Sequence, residues 1–154
     1  MYKSIGLLLM LLVLSTASWG QQSLVGTYKI VSQVVEVDGV PMEPRGKAPL
    51  GQLALTKTRA TAFYTGQKRN FGTTEPAKAQ LFDTLAGWTA RYRTDGKRLV
   101  FSIDSSWVDN WNGKDQIRNF QLSGNRLTLT SDPMPFARDP SKKSIVRQVW
   151  EKVE

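Results

Sequence analysis

The sequence predicts an all-β fold, an eight-stranded antiparallel up-and-down barrel with one short helix. From Trp88 to Thr130, apolar or aromatic residues recur at every second position, which is the period of a strand with one buried face. Short turn signals divide the chain into about eight such runs with few long crossovers between them. A barrel of eight strands encloses a space that side chains fill or that one small ligand occupies.

The first half of the chain contributes three of these strands. The Val-rich stretch 26–37 ends at the turn signal Asp38-Gly39, and residues 51–56 and 60–65 form a hairpin after a proline-rich loop over 40–49. Alternation along the first strand predicts one face formed by Tyr28, Ile30, Ser32, Val34 and Glu36.

One helix is predicted over 75–86. Thr74 suits its N-cap, Pro76 suits its first turn and Gly87 ends it. The strands of the opening stretch follow as a meander, with turn signals at 94–97, 112–113 and 123–125. A basic loop over 136–144 then leads into the last strand, 145–153.

The first twenty residues differ from the rest of the chain. Lys3 precedes an apolar run over 5–14, and small residues follow, which predicts a signal peptide over 1–20 and a single domain over 21–154. Cleavage after Ala17 and cleavage after Gly20 both fit. The run is about half of the roughly 18 to 20 residues that a membrane span needs, so an uncleaved anchor is the alternative. The chain has no Cys, so it can form no disulfide and lacks the Cys that a lipid-modified bacterial precursor carries directly after its signal. We therefore expect a soluble periplasmic or secreted protein.

The chain is basic, with 21 Lys and Arg against 13 Asp and Glu and a net charge of +8. Removing the signal peptide, whose one charged residue is Lys3, leaves +7. This excess favours weak association with anionic envelope surfaces or an anionic ligand. Nucleic acid is disfavoured as a partner, since the basic residues are spread out and no recognition motif accompanies them. The alternative is that the cations only solvate the outer face of the strands.

The chain contains no His and no Cys. This composition excludes a Ser-His-Asp triad, a thiol nucleophile and the usual zinc and copper sites. Residues 109–115 are rich in oxygen ligands, but Trp111 and Gly113 stand where a calcium loop needs ligands. We therefore expect an Asn-Gly turn there, and no metal or other cofactor.

Arg118 shares the apolar face of its predicted strand with Gln116, Phe120 and Leu122. A guanidinium that points into a barrel needs a partner, because an unpaired buried charge costs several kcal/mol. Glu36 or Asp104 is one candidate partner. A ligand carboxylate or phosphate is another, and a register error that leaves Arg118 outside the barrel is the third reading.

Aromatic residues cluster on the same inner face, where they form either a filled core or the wall of a cup. Trp88, Tyr92, Phe101 and Trp107 lie on predicted inner positions, and Trp111 lies in the adjoining loop. The predicted ligand-binding residues are Trp88, Tyr92, Phe101, Trp107, Trp111, Arg118 and Phe120.

Short motifs in order along the chain resemble the bacterial lipocalin-like domain family. They include Gly26-Thr27-Tyr28, Pro49-x-Gly51, Trp111-x-Gly113 and the closing Val149-Trp150-Glu151-Lys152, and together they span nearly all of the chain after the signal. Tyr28 and Lys152 depart from the Trp and Arg that are usual in lipocalins. The resemblance implies an eight-stranded barrel of the calycin type and little about ligand or activity.

Three functions fit the sequence. The first is an exported protein that binds a small apolar or amphipathic ligand in the barrel, with Arg118 or the lysines Lys142 and Lys143 receiving an anionic head. The second is a barrel enzyme for isomerisation, cyclisation or hydration, with Asp104, Glu36 or Tyr92 as acid or base. The third is a structural or interaction protein of the envelope with a filled barrel.

Overall fold

The computed structural model describes residues 23–154. The predicted signal peptide over 1–20 lies outside the described residues and stays a prediction. Of the helices formed by residues 23–154, none combines the length and the hydropathy that a membrane span requires.

The described residues form ten strands, one α-helix and one turn of 3₁₀ helix (η1). The elements are β1 (Gly26–Val37), β2 (Val40–Met42), β3 (Leu50–Leu55), β4 (Arg59–Thr65), α1 (Glu75–Asp83), β5 (Leu85–Thr94), β6 (Arg98–Ser106), η1 (Asp109–Trp111), β7 (Asp115–Ser123), β8 (Arg126–Thr130), β9 (Met134–Phe136) and β10 (Asp139–Lys152).

Eight of these strands close into an antiparallel barrel. Neighbours follow the order β1, β3, β4, β5, β6, β7, β8, β10, and β10 pairs back with β1 from Tyr28–Lys152 to Val37–Ser144. The short strands β2 and β9 extend β1 and β10. The predicted eight-stranded barrel with one helix is confirmed.

The two ends of the barrel differ in their connections. Tight turns at 56–58, 95–97 and 124–125 join strands at one end, which we call the closed end. The long connections all lie at the other end, the mouth: 38–49, 66–84 with α1, 107–114 with η1, and 131–138. The extra backbone and side chains at the mouth are therefore available to build a site above the barrel.

Two predicted boundaries are wrong. The helix ends at Asp83 instead of residue 86, because Leu85 and Ala86 pair with Thr65 and Tyr64 and so belong to β5. The last strand begins at Asp139 instead of residue 145, because the predicted basic loop forms a hairpin with β9.

Two β-bulges reverse the predicted alternation of side chains. In β1 the register with β10 shifts between Ile30 and Ser32, so that Gln33 is buried and Glu36 is exposed. In β6 the extra residue is Asp104, which has no partner between the Thr89–Ser105 and Ala90–Ile103 pairs. One additional residue moves every later side chain to the opposite face.

The half of the barrel next to the closed end is filled by side chains. Its largest fully buried members are Trp150, Tyr28, Phe101, Leu53, Leu99 and Leu127. Tyr28 seals this end: its hydroxyl donates to the carbonyl of Leu24 at 2.7 Å. The hydrophobic core therefore lies below the mouth and gives the connections of the mouth a rigid base.

Candidate functional site

A cavity of about 560 Å³ opens at the mouth of the barrel. We call it the mouth cavity. It lies within the size range of small-molecule sites. Its walls combine apolar and aromatic side chains, among them Tyr64, Phe82, Leu85, Ala86, Trp107, Val108, Trp111, Met134 and Val146, with the polar residues Gln33, Arg45, Gln116, Arg118 and Gln148.

The floor of the mouth cavity is almost solid. Beneath it lies an inner void of only about 20 Å³, which is room for about one water molecule. Tyr64, Trp111, Gln116, Arg118 and Gln148 line both spaces and so form the boundary between them. A ligand therefore has room above these residues but not below them.

Arg45 projects from the 43–49 loop over the ring of Tyr64. Its guanidinium carbon lies 5.0 Å from the centroid of that ring. Its Nη1 donates to Gln33 Oε1 at 2.8 Å, its Nη2 donates weakly to the carbonyl of Leu85 at 3.5 Å, and its buried Nε has no partner. The side chain is held in place by one strong bond while much of its donor capacity is unused.

Arg118 points from β7 into the barrel, as its alternation predicts. Its Nη1 donates to the carbonyl of Ile117 at 2.7 Å, and its Nη2 donates to Gln116 Oε1 at 3.4 Å. Both partners are neutral and belong to the same strand. The charge of Arg118 is therefore solvated locally but not neutralised.

Neither predicted carboxylate partner reaches Arg118. Glu36 is exposed because of the bulge in β1, and Asp104 forms an ion pair with Arg59 at 2.9 Å. Within residues 23–154, no ion pair includes Arg118 or Arg45. The interpretation of a permanent structural pair with Glu36 or Asp104 is wrong.

Burial acts on both guanidiniums. It lowers the pKa of Arg45 and of Arg118, and in each case Tyr64 partly opposes the shift. Asp132 is a second opposing influence on the pKa of Arg118, although its carboxylate accepts a hydrogen bond from Asn119. Both arginines remain protonated at neutral pH, so the lowered pKa reflects the cost of holding two cations away from water.

Tyr64 lines the floor together with Arg118, and Arg45 lies over its ring. Its ring packs edge-on against Trp150, with centroids 5.6 Å apart and an interplanar angle of 86°. Its side chain is buried, yet no residue in 23–154 forms a hydrogen bond with its hydroxyl. Because Tyr64 lines the mouth cavity, that hydroxyl is a donor available to a bound molecule.

The mouth cavity carries a positive charge. Three arginines line it, Arg45, Arg118 and the exposed Arg138, whereas Asp83 is the one acidic residue among its described lining residues. Lys142 and Lys143, the lysines considered from the sequence, do not line it: Lys142 Nζ lies 4.0 Å from Asp139, and the backbone of Lys143 donates to Asp38. The arginines, not these lysines, give the mouth its charge.

The predicted ligand-binding residues fall into three groups. Trp88, Phe101, Trp111 and Arg118 meet around the inner void, and the last two also reach the mouth cavity. Phe101 is a core residue with 2% of its surface exposed, and it packs on Trp88 with centroids 5.1 Å apart.

Trp107 lies at the rim instead of the inner face. The bulge at Asp104 places Ser106 opposite Trp88, and Trp107 turns outward to contact Phe82 at 5.0 Å between ring centroids. With 44% of its surface exposed, Trp107 still borders the mouth cavity.

Tyr92 and Phe120 lie at the closed end, far from the mouth. They line a separate concavity of about 620 Å³ together with Leu24, Lys57 and Leu122. The Tyr92 hydroxyl donates to the carbonyl of Thr56 at 2.6 Å. Although this concavity is slightly larger, Arg45 and Arg118, two half-buried arginines without an ion-pair partner among the described residues, line the mouth cavity, which is why we place the site there.

The acid-base candidates lie outside the mouth cavity. Asp104 and Glu36 are on the exterior, and Tyr92 is at the closed end. Residues 23–154 also contain no group of three His, Cys, Asp or Glu side chains arranged to hold a metal ion. The arrangement at the mouth is suited to binding, with donors and an apolar wall.

Comparison with protein families identifies the fold independently of the geometry. A family model of a lipocalin-like domain matches residues 25–153. The chain belongs to the lipocalin-like domain family. A comparison with curated proteins gave no match.

Two departures of this lipocalin-like chain from the usual motifs meet at the closed end. Tyr28 is fully buried, and Lys152 Nζ lies 6.0 Å from the centroid of its ring. The same ammonium donates to the carbonyl of Val25 at 2.7 Å. Tyr28 and Lys152 together close this lipocalin-like barrel with a cation over an aromatic ring.

Several residues of the site were not predicted from the sequence of this lipocalin-like chain. Arg45 lies in a proline-rich loop without periodicity, and Gln33 faces inward only because of the bulge in β1. Tyr64 carried a detectable signal, because it alternates with Ala60 and Ala62 along β4 and all three are buried. The alternation shows that Tyr64 faces inward, but no sequence pattern indicates that Arg45 lies over its ring.

Proposed function

We propose that this protein is an exported carrier or receptor that holds one small apolar or amphipathic molecule in the mouth cavity. The observation that supports it most is a cavity of about 560 Å³ resting on a filled core. Family membership supports small-ligand binding in general, and the polar groups above the floor support a molecule with a polar end.

The placement of the aromatic side chains also supports this proposal. Trp111 and Trp107 border the mouth cavity, and Phe82 stands beside Trp107 at the rim. These rings give the ligand an apolar wall on one side, while Gln33 and Gln148 on the other strands offer polar contacts. The basic character of the first residues and the apolar run after them support export.

Calorimetric titration with fatty acids, isoprenoids and aromatic acids tests the proposal, together with native mass spectrometry of protein purified from its own periplasm. We expect one ligand per chain. Binding of no molecule in the panel, and no co-purifying molecule, would contradict the proposed function.

A pair of variants locates the binding site. Ala137 is an exposed residue that lines the mouth cavity, whereas Ala79 is exposed on α1 away from it. Ala137→Phe narrows the opening and is expected to weaken binding, whereas Ala79→Phe adds the same side chain without effect. Equal affinities for the two variants would place the ligand elsewhere.

A further inference from the structure

The mouth cavity is lined by two arginines whose donors have no anionic partner in an ion pair among the described residues. A guanidinium carries five N–H donors, and the described residues accept from two of those of Arg45 and two of those of Arg118. The acceptors are amide and backbone oxygens, which are uncharged, so neither guanidinium is neutralised.

No carboxylate among residues 23–154 forms an ion pair with Arg45 or Arg118, and Asp132 acts on Arg118 only from a distance. Glu36 and Asp104 face outward, and Asp132 accepts from Asn119 outside the mouth cavity. Asp83 borders the cavity, but it is exposed at the end of α1 and forms no ion pair with a described cation. Burial therefore costs both guanidiniums part of their hydration, and no ion pair among residues 23–154 offsets that cost.

We propose that Arg45, Arg118 and Tyr64 form an anion-binding seat that receives the carboxylate or phosphate head of the ligand. This inference rests on the proposed function and adds the chemical class of the molecule. The two guanidiniums offer planar pairs of donors, the geometry that matches two oxygens of one oxyanion, and the Tyr64 hydroxyl offers a third donor.

The position of the seat fixes the orientation of the ligand. Arg118 and Tyr64 lie at the boundary with the inner void, whereas Trp107 and Phe82 lie at the rim. The anionic head therefore binds at the floor and the apolar part extends toward the opening. The inner void of about 20 Å³ is too small for the apolar part, so the whole ligand lies above the floor.

Three probes with the same apolar chain test the seat: decanoate, decyl phosphate and 1-decanol, titrated into the full mature protein by calorimetry. We expect both anions to bind at least about tenfold more tightly than the alcohol, the size expected for charge-assisted hydrogen bonds. Decanoate against decyl phosphate then shows which head group the seat prefers.

Variants assign the effect to the arginines. Arg45→Met and Arg118→Met are each expected to weaken binding of the anions by about tenfold to a hundredfold while affinity for the alcohol changes little. Arg91→Met is the matched control, because Arg91 is exposed on β5 outside the cavity and its loss changes the net charge equally. Tyr64→Phe retains the ring and is expected to weaken anion binding less than either arginine change.

Thermal unfolding of the ligand-free protein provides a second measurement. Without a bound anion, the half-buried charge of Arg118 lowers the stability of the folded protein. Arg118→Met removes that charge and is therefore expected to keep or raise the melting temperature. A lower melting temperature with unchanged affinity for the anions would overturn the seat and assign Arg118 a purely structural role.

The outcomes separate the seat from the wider function. Equal binding of 1-decanol and the two anions overturns the seat and leaves the proposed function standing. Loss of anion binding in Arg91→Met to the same extent also overturns it, since long-range charge would then explain the preference. Failure of all three probes to bind, together with no ligand from the wider panel, counts against both proposals.

Discussion

Gly51 lies opposite Tyr64 in the ladder between β3 and β4, and a Cβ on Gly51 would overlap the Cα and Cβ of Tyr64. Gly51 also has a φ of +150°, which disfavours residues with a side chain. The backbone contact therefore sets how closely β3 approaches the strand that carries Tyr64. Glycine in the Pro49-x-Gly51 motif of the sequence therefore permits the close pairing of β3 with the strand that carries Tyr64.

The first prediction concerns this contact. Gly51→Ala is expected to lower the free energy of unfolding by roughly 2 to 4 kcal/mol, since overlap and backbone strain act together. Urea denaturation followed by circular dichroism measures it.

Gly87→Ala is the matched control for Gly51→Ala. Gly87 lies in β5, and its added Cβ would meet Phe63 at an ordinary 3.4 Å. A change well below 1 kcal/mol is expected there. If both variants are equally stable, close packing against Tyr64 is not what requires glycine at position 51.

The second prediction concerns pH. Burial raises the pKa of Tyr28 above its ordinary value of 10.0, and Tyr92 adds to the shift. Because the folded pKa is raised, the stabilisation by the neutral hydroxyl is fully present below about pH 10 and is lost as pH rises through the folded pKa. Melting temperatures measured from pH 8 to 11.5 should fall at the alkaline end.

Tyr28→Phe isolates the contribution of this hydroxyl. It removes the hydrogen bond to Leu24, so stability at pH 8 is expected to fall by about 1 kcal/mol. The alkaline decrease should be smaller in the variant than in the parent. Parallel pH profiles for the two proteins would show that other groups cause the decrease.

The third prediction uses the four tryptophans outside the predicted signal, Trp88, Trp107, Trp111 and Trp150. Trp111 lines the mouth cavity and its floor, whereas Trp150 is buried in the core with 1% of its surface exposed. A ligand that changes the intrinsic fluorescence should therefore act mainly through Trp111.

Trp111→Phe is expected to remove most of the fluorescence response to ligand. Trp107→Phe, at the rim, is expected to remove a smaller part. Calorimetry on the same variants confirms that the ligand still binds. An undiminished response in Trp111→Phe would move the bound molecule away from the floor.

The fourth prediction separates core from surface aromatics. Phe101 has 2% of its surface exposed and Phe71 has 92%. Phe101→Ala is expected to cost about 3 to 5 kcal/mol of unfolding free energy, because it removes buried apolar area and leaves a cavity. Phe71→Ala should change stability by less than about 0.5 kcal/mol. Comparable losses in chemical denaturation would contradict the assignment of the core.

The sequence predicted the barrel well because its main signal, a period of two, survives in most strands. Leu99, Phe101 and Ile103 are buried, as their alternation requires, and so are Leu127 and Leu129. The inward position of Arg118 follows from the same rule. The turn at Asp38-Gly39 is also found, with both residues at positive φ.

Prediction failed where a single residue is added to a ladder. No feature of the sequence marks the bulges at Val31 and Asp104, yet each bulge moves the residues after it to the opposite face of the strand. For this reason the prediction placed both Glu36 and Trp107 on the inner face. Arg45 could not be found for a different reason. Its position depends on a long loop folding over Tyr64, which is a tertiary contact between residues far apart in sequence.

Because the lower half of the barrel is solid, the side chains that form the core and those that line the mouth cavity are largely different sets. Folding depends on the packed layer around Trp150 and Tyr28, whereas the proposed binding site uses residues in connections above that layer, such as Arg45. If the proposed site is correct, substitutions at the mouth are expected to change ligand selectivity while costing little stability. Such a scaffold is open to evolutionary drift and to laboratory redesign of its loops.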